Sequence, residues 1–190
     1  MKLSTVLAAV FFFLLLAPAS AYHTDTLQGN ITSTITLQNT KIYLMLGTVF
    51  VKQGGTLVIQ PGTVIKGDKN SKAALVVERG GTIYANGTST QPIIFTSAQQ
   101  IFSKAPGDWG GIILLGKVRI NTASGSDTAS IEGISPAVYF GGQNDADSSG
   151  LMRYCRIEYS GIALSPNNEI NGLTMGGVGS RTIIENIQVS

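Results

Sequence analysis

Val51-Lys-Gln-Gly-Gly-Thr-Leu-Val-Ile59 and Val77-Glu-Arg-Gly-Gly-Thr-Ile-Tyr-Ala85 are one phrase written twice. Each copy has a valine, two polar residues, Gly-Gly-Thr, an aliphatic residue, a variable residue, and a small or aliphatic one. Val77 stands 26 residues after Val51. A repeat of this length, rich in β-branched residues and punctuated by Gly-Gly, marks a solenoid whose turns are strands. The stretch from Gly47 to Ala85 that holds both copies therefore sets the frame for the whole chain.

Working outward, Thr56 to Ile59 places Leu57 and Ile59 inward. Gln60-Pro-Gly-Thr63 reads as a tight turn, because Pro fixes φ and Gly accepts positive φ. Val64 and Ile65 return to the core, and Gly67 to Lys72 is a polar loop. Lys41 to Val51 reads as a strand pair broken at Gly47. Asn30 to Leu37 alternates, with Ile31, Ser33, Ile35 and Leu37 on one face and threonines on the other. Tyr22 to Gln28 is polar and reads as loosely ordered.

On the other side of the repeat, Asn86-Gly87 is a turn and Pro92 to Ser97 is a strand with Ile93 and Phe95 on one face. Ala98 to Gly107 is a loop. Gly107-Asp-Trp-Gly-Gly-Ile-Ile-Leu-Leu-Gly116 is a continuous apolar run, the mark of a strand buried on both faces or covered outside by a loop. Trp109 reads as a corner residue, or alternatively as a sugar-stacking platform with Asp108 beside it. Lys117 to Gly150 has few strand signals and forms a long excursion, where binding function tends to sit. Regularity then returns. Arg153 to Ser160 aligns with Ile183 to Ser190 at an offset of 30, pairing Ile157 with Ile187, while Asn171 to Gly179 reads as a turn.

Composition limits the function classes. Of 190 residues, 43% are apolar and only 13% charged, which argues against disorder. The 23 glycines suit a turn-rich β fold. A net charge of +2 with no basic stripe gives no support for nucleic-acid binding. Met1 to Ala21 carries Lys2, an apolar run from Val6 to Ala17 and Ala19-Ser20-Ala21, the pattern of a secretory signal peptide cleaved after Ala21. Residues 22–40 then form a lead-in with a capping strand, and 41–190 the coils. No later stretch is apolar and long enough to span a bilayer. Cys155 is the lone cysteine, so no internal disulfide forms. Its alternation with Ile157 and Tyr159 reads as an inert core thiol.

Gly54 to Ile65, Gly107 to Ile112, Asn144-Asp-Ala-Asp-Ser-Ser-Gly150, Arg153-Tyr-Cys-Arg-Ile-Glu-Tyr159 and Asn168-Glu-Ile-Asn-Gly-Leu173 together resemble a family of secreted bacterial parallel β-helix proteins of pectin-lyase-like type, common in Bacteroidetes. The resemblance implies an all-β, right-handed parallel β-helix and no assigned molecular function. It also implies that the chain continues through more coils. That agrees with the absence of a visible cap after Ile187, and we read the chain as an N-terminal portion. The chain departs from the lipoprotein members of that family in lacking a cysteine at the cleavage point.

Parallel β-helices include lyases and hydrolases, so polysaccharide cleavage is one reading of the chain. Candidate parts are Asp145, Asp147, Arg153 and Arg156. The Asp-Asp pairs and Gly-His-Gly stretch of polygalacturonases are absent, and the one histidine, His23, falls in the lead-in. Asp145-Ala-Asp147-Ser-Ser-Gly150 opens like an EF-hand loop but carries Arg156 where the bidentate Glu belongs. A simpler Ca²⁺ site on Asp145, Asp147 and Asn144 stays open. Asn30 and Asn86 lie in glycosylation sequons that matter only in a eukaryotic pathway. The expected role is a secreted or cell-surface platform for adhesion or glycan binding. The alternatives are a lyase or hydrolase completed by further coils, and a structural spacer.

Overall fold

The computed structural model describes residues 23–165 and 168–190. The expected signal peptide lies outside the described residues. The strands are β1 (His23–Ile31), β2 (Thr34–Leu37), β3 (Lys41–Val51), β4 (Thr56–Ile59), β5 (Val64–Gly67), β6 (Ala74–Val77), β7 (Thr82–Asn86), β8 (Ile93–Ser97) and β9 (Gly111–Leu115). They continue as β10 (Ala129–Ser130), β11 (Tyr139–Phe140), β12 (Gly150–Ile157), β13 (Ala163–Ser165), β14 (Asn168–Glu169), β15 (Leu173–Gly176) and β16 (Ile183–Val189).

Twelve strands join in one parallel network that winds as a parallel β-helix with three faces. The first face stacks the start of β1, the start of β3, β5, β8, the end of β12 and the end of β16. The second stacks the end of β1, the end of β3, β6, β9 and β15. The third stacks β2, β4, β7, the start of β12 and the start of β16. Successive rungs lie ~4.8 Å apart. Strands β1, β3, β12 and β16 each serve two faces by bending at a left-handed residue: Gly29, Gly47, Tyr154 and Asn186.

Val51 and Val77 pair in register on the second face, and Leu57 and Ile83 on the third. Between the faces the chain must turn tightly over the turn below it. Gly54 and Gly80 take φ +81°, where L side chains are strained. A Cβ on Gly55 would stand 2.1 Å from Ile31 O, and one on Gly81 would stand 2.3 Å from Val51 O. The first glycine turns the chain and the second lets it pass over a carbonyl.

Inside, like positions stack. Ile31, Val51, Val77 and Leu114 form one column, and Tyr43, Ile65, Phe95 and Ile157 another. All are buried, each contributing about 1.5–3 kcal/mol for the larger aliphatic and aromatic side chains. The run Ile112 to Leu115 is buried on both sides, as its continuous apolarity predicts. Ile112 and Leu114 face the interior. Phe50, Val76, Ile113 and Leu115 face outward into a second cluster, covered by Ile134, Val138 and Ile170.

Four expectations need correction. Residues 23–28, expected to be loose, are the first part of β1, paired with β3 from His23↔Lys41 to Gln28↔Leu46, because their backbone groups complete the first rung. The single strand expected over Asn30 to Leu37 is split at Thr32–Ser33, where the chain turns from the second face to the third. Asn171 to Gly179 is more than a turn, since β15 pairs with β9. The last coil aligns Cys155 with Ile187 and Ile157 with Val189, two residues away from the expected register. A shift of two keeps every side chain on its expected face, so the alternation alone could not detect it.

Candidate functional site

The Gly-Gly turns that join the second and third faces stack into a ridge. Each turn presents its variable polar residues to one side: Lys52 and Gln53 from one, Glu78 and Arg79 from the next. The next strand of the second face, β9, feeds Lys117 and the long excursion instead. The excursion runs outward, returns through the short antiparallel pair β10–β11, and rejoins the coil at β12. Ile131, Ile134, Val138 and Phe140 hold it against the outer apolar face of β6 and β9. Residues 136–139 therefore stand as a wall opposite the ridge.

Between ridge and wall lies a cleft of about 440 Å³, lined by Lys52, Gln53, Glu78, Arg79, Lys117 and Tyr139, with Pro136 to Val138 behind. Lys52 Nζ meets Glu78 Oε1 at 2.5 Å and lies 4.7 Å from the centre of the Phe50 ring. Arg79 Nη1 donates to Gly141 O at 3.0 Å, tying the ridge to the excursion. Lys117 Nζ lies over Gly80, where a Cβ would stand 3.0 Å from it. Tyr139 is 50% exposed at the wall. Three cations thus face one carboxylate, and an accessible aromatic ring stands across from them.

The residues singled out from sequence lie elsewhere. Trp109 and Asp108 are both fully buried, so neither offers a surface to a ligand, and the platform reading of this pair is corrected. The indole packs against Gly67, and its Nε1 donates to Glu158 O at 2.8 Å. It is a corner residue. Asp108 accepts from Ser97 Oγ, Lys69 Nζ and Ala105 N. Burial opposes its ionisation, but those hydrogen bonds and the Lys69 charge outweigh burial and hold the carboxyl below its usual range.

The Ca²⁺ candidates serve the excursion. Asp145 pairs with Arg119, whose hydrogen bond lowers the Asp145 carboxyl despite some desolvation. Asp147 Oδ2 accepts from Lys117 N at 2.7 Å, and Asn144 N donates to Lys117 O at 2.8 Å. Each carboxylate thus pegs the neck of the loop through a partner of its own. Among the described residues no group of three or more His, Cys, Asp or Glu side chains could hold a metal ion. Both carboxylates already accept from protein donors, which does not favour Ca²⁺ at this loop.

The candidate catalytic parts are not brought together either. Arg153 pairs with Glu185 at the end of the third face, and Arg156 pairs with Glu158 on the first. Cys155 is 1% exposed, and desolvation pushes its thiol up to about 12. Asn30 and Asn86 are both exposed.

Sequence reasoning missed the cleft. One signal was present: Lys52, Gln53, Glu78 and Arg79 occupy the two polar positions of the repeated phrase, and a repeat stacks equivalent positions. Tyr139 carried no such signal, because the excursion has no period.

The family model of the pectate-lyase-like β-helix domain matches residues 29–190. No curated protein and no solved structure matches the chain.

Proposed function

The chain belongs to the family of pectate-lyase-like β-helix domains, and on that footing we propose that it is a secreted or cell-surface platform that binds glycans without cleaving them. The observation that carries this reading is the cleft between the Gly-Gly ridge and the excursion. Tyr139 offers a ring face to the apolar side of a sugar. Lys52, Arg79 and Lys117 offer donors to hydroxyls, and to any carboxylate, sulfate or phosphate the glycan carries. The floor is a stacked β-ladder and the wall is packed on apolar residues, so little order has to be gained on binding.

The cleft favours binding over hydrolysis. Glycoside hydrolysis needs two carboxylates about 5–9.5 Å apart. This cleft has Glu78 alone, already held by Lys52.

A glycan array read alongside a polysaccharide depolymerisation screen tests the proposal. Binding without release of sugar ends, weakened at least tenfold by Tyr139→Ala (about 1.4 kcal/mol), is the expected result. Release of reducing or unsaturated ends would replace it with a hydrolase or lyase. No binding to any glycan would leave the structural spacer.

A further inference from the structure

We infer that the loop between β8 and β9 is a contact point for an anionic lipid surface. The loop leaves the coil at the corner between the first and second faces, away from the Gly-Gly ridge. At its tip Phe102 is 100% exposed and Ile101 75%. Two adjacent large apolar side chains this exposed present a continuous apolar point to whatever meets the loop.

The neck of this loop is locked. Ser97 Oγ, at the end of β8, donates to Asp108 Oδ2 at 2.6 Å. Ala105 N donates to the same oxygen at 3.0 Å, and Lys69 Nζ reaches Asp108 Oδ1 at 2.9 Å. Asp108 N in turn donates to Ala105 O and Tyr159 O. Ser103 N closes a turn on Gln100 O at 2.8 Å. Both ends of the loop are thus clamped on one buried carboxylate, and the two apolar side chains are held outward.

Lysines lie on the loop and on the rungs beside its corner. Lys104 lies on the loop itself, with Nζ 3.0 Å from Thr96 Oγ1 and 5.4 Å from the centre of the Tyr159 ring. Lys66 is the register neighbour of Thr96 on the next rung. Lys72 belongs to the turn at the same corner, one coil away. None of these three lysines forms an ion pair among the described residues. Of the nearby acids, Asp108 is paired with Lys69 and Glu158 with Arg156, while Asp68 accepts from Ser71 N and keeps its charge.

Size selects the partner. Two such side chains bury roughly 300–400 Å², well short of the ~800 Å² per partner of a stable protein interface. Sugars stack on broad aromatic rings with polar neighbours, a role Ile101 does not fill. Apolar side chains that dip into the headgroup boundary, backed by lysines, fit an anionic bilayer.

Co-sedimentation with vesicles of phosphatidylglycerol and phosphatidylcholine in equal parts, against pure phosphatidylcholine, tests the inference. We expect binding to the anionic vesicles that weakens with salt. Phe102→Ser should weaken it by about tenfold or more, and Lys104→Gln by about fivefold. Phe102→Trp should keep binding, with tryptophan emission that shifts blue on vesicle addition over the constant background of buried Trp109. No sedimentation, equal binding to neutral vesicles, or wild-type binding by Phe102→Ser would each overturn the proposal. So would loss of self-association in Phe102→Ser when wild type binds no vesicles, which would name a second copy as the occupant.

Discussion

Ser97 Oγ lies 2.6 Å from Asp108 Oδ2 in the interior of the protein, and the bond joins the two ends of one loop across a fully buried carboxylate. The folded-state value of that carboxyl is held below the ~3.9 of an unfolded aspartate. Its ionisation therefore adds stability in full above that value, and the contribution is lost as pH falls through the folded-state value. Asp108→Ala removes the acceptor for three donors and should cost about 3 kcal/mol in urea unfolding at neutral pH. Asp108→Asn should flatten the fall of stability with acid below about pH 4. A variant that unfolds like wild type at both pH values would show that the clamp is not energetically significant.

The two glycines of each Gly-Gly turn should respond differently. Gly54 has positive φ but open space around its missing Cβ, so Gly54→Ala should cost about 1–2 kcal/mol. Gly81→Ala drives a methyl into Val51 O of the coil below and forces the rungs apart. It should cost at least about 3 kcal/mol or prevent folding. Thermal unfolding of the two variants side by side gives the comparison. Equal losses would mean that φ, and not close approach between rungs, explains the phrase.

Cys155 should behave as a core residue. With its thiol pushed up to about 12 by burial, almost no thiolate exists at neutral pH. A thiol reagent should react with native protein at least about a hundredfold more slowly than with protein in denaturant. Rapid native reaction would place the sulfur at a surface. Cys155→Ser should lower stability without altering glycan binding.

The solenoid was legible because its signals are local and repeated. Val51 and Val77, the Gly-Gly-Thr turns, the run Ile112 to Leu115 and the alternation around Cys155 each report burial through a side chain and its immediate neighbours. Register was less legible. The last coil was misplaced by two residues because a parallel ladder preserves faces under an even shift, and hydrogen bonds between rungs leave no mark in composition. The first half of β1 was missed for a related reason. It is polar outside, and its order comes from backbone pairing to β3.

Surface chemistry was the least legible. Trp109 read as a corner residue with a ligand platform as the alternative, and only its place against Gly67 and Glu158 O decides for the corner. Asp145 and Asp147 looked like cation ligands by spacing, but Arg119 and Lys117 N occupy them. Phe102 lay in a stretch read simply as a loop, and the neck of that loop is closed on Asp108 by Lys69 from the neighbouring coil.

By itself the sequence determined the all-β class, the coil length near the repeated phrase, the inward columns and the inert thiol. These follow from periodicity and glycine punctuation, which are properties of adjacent residues. Tertiary structure alone decided the rung register, the cleft of Lys52, Arg79, Lys117 and Tyr139, and which acids are already paired. Those depend on residues tens of positions apart meeting where coils stack, and the chain encodes such meetings only through the sum of its packing.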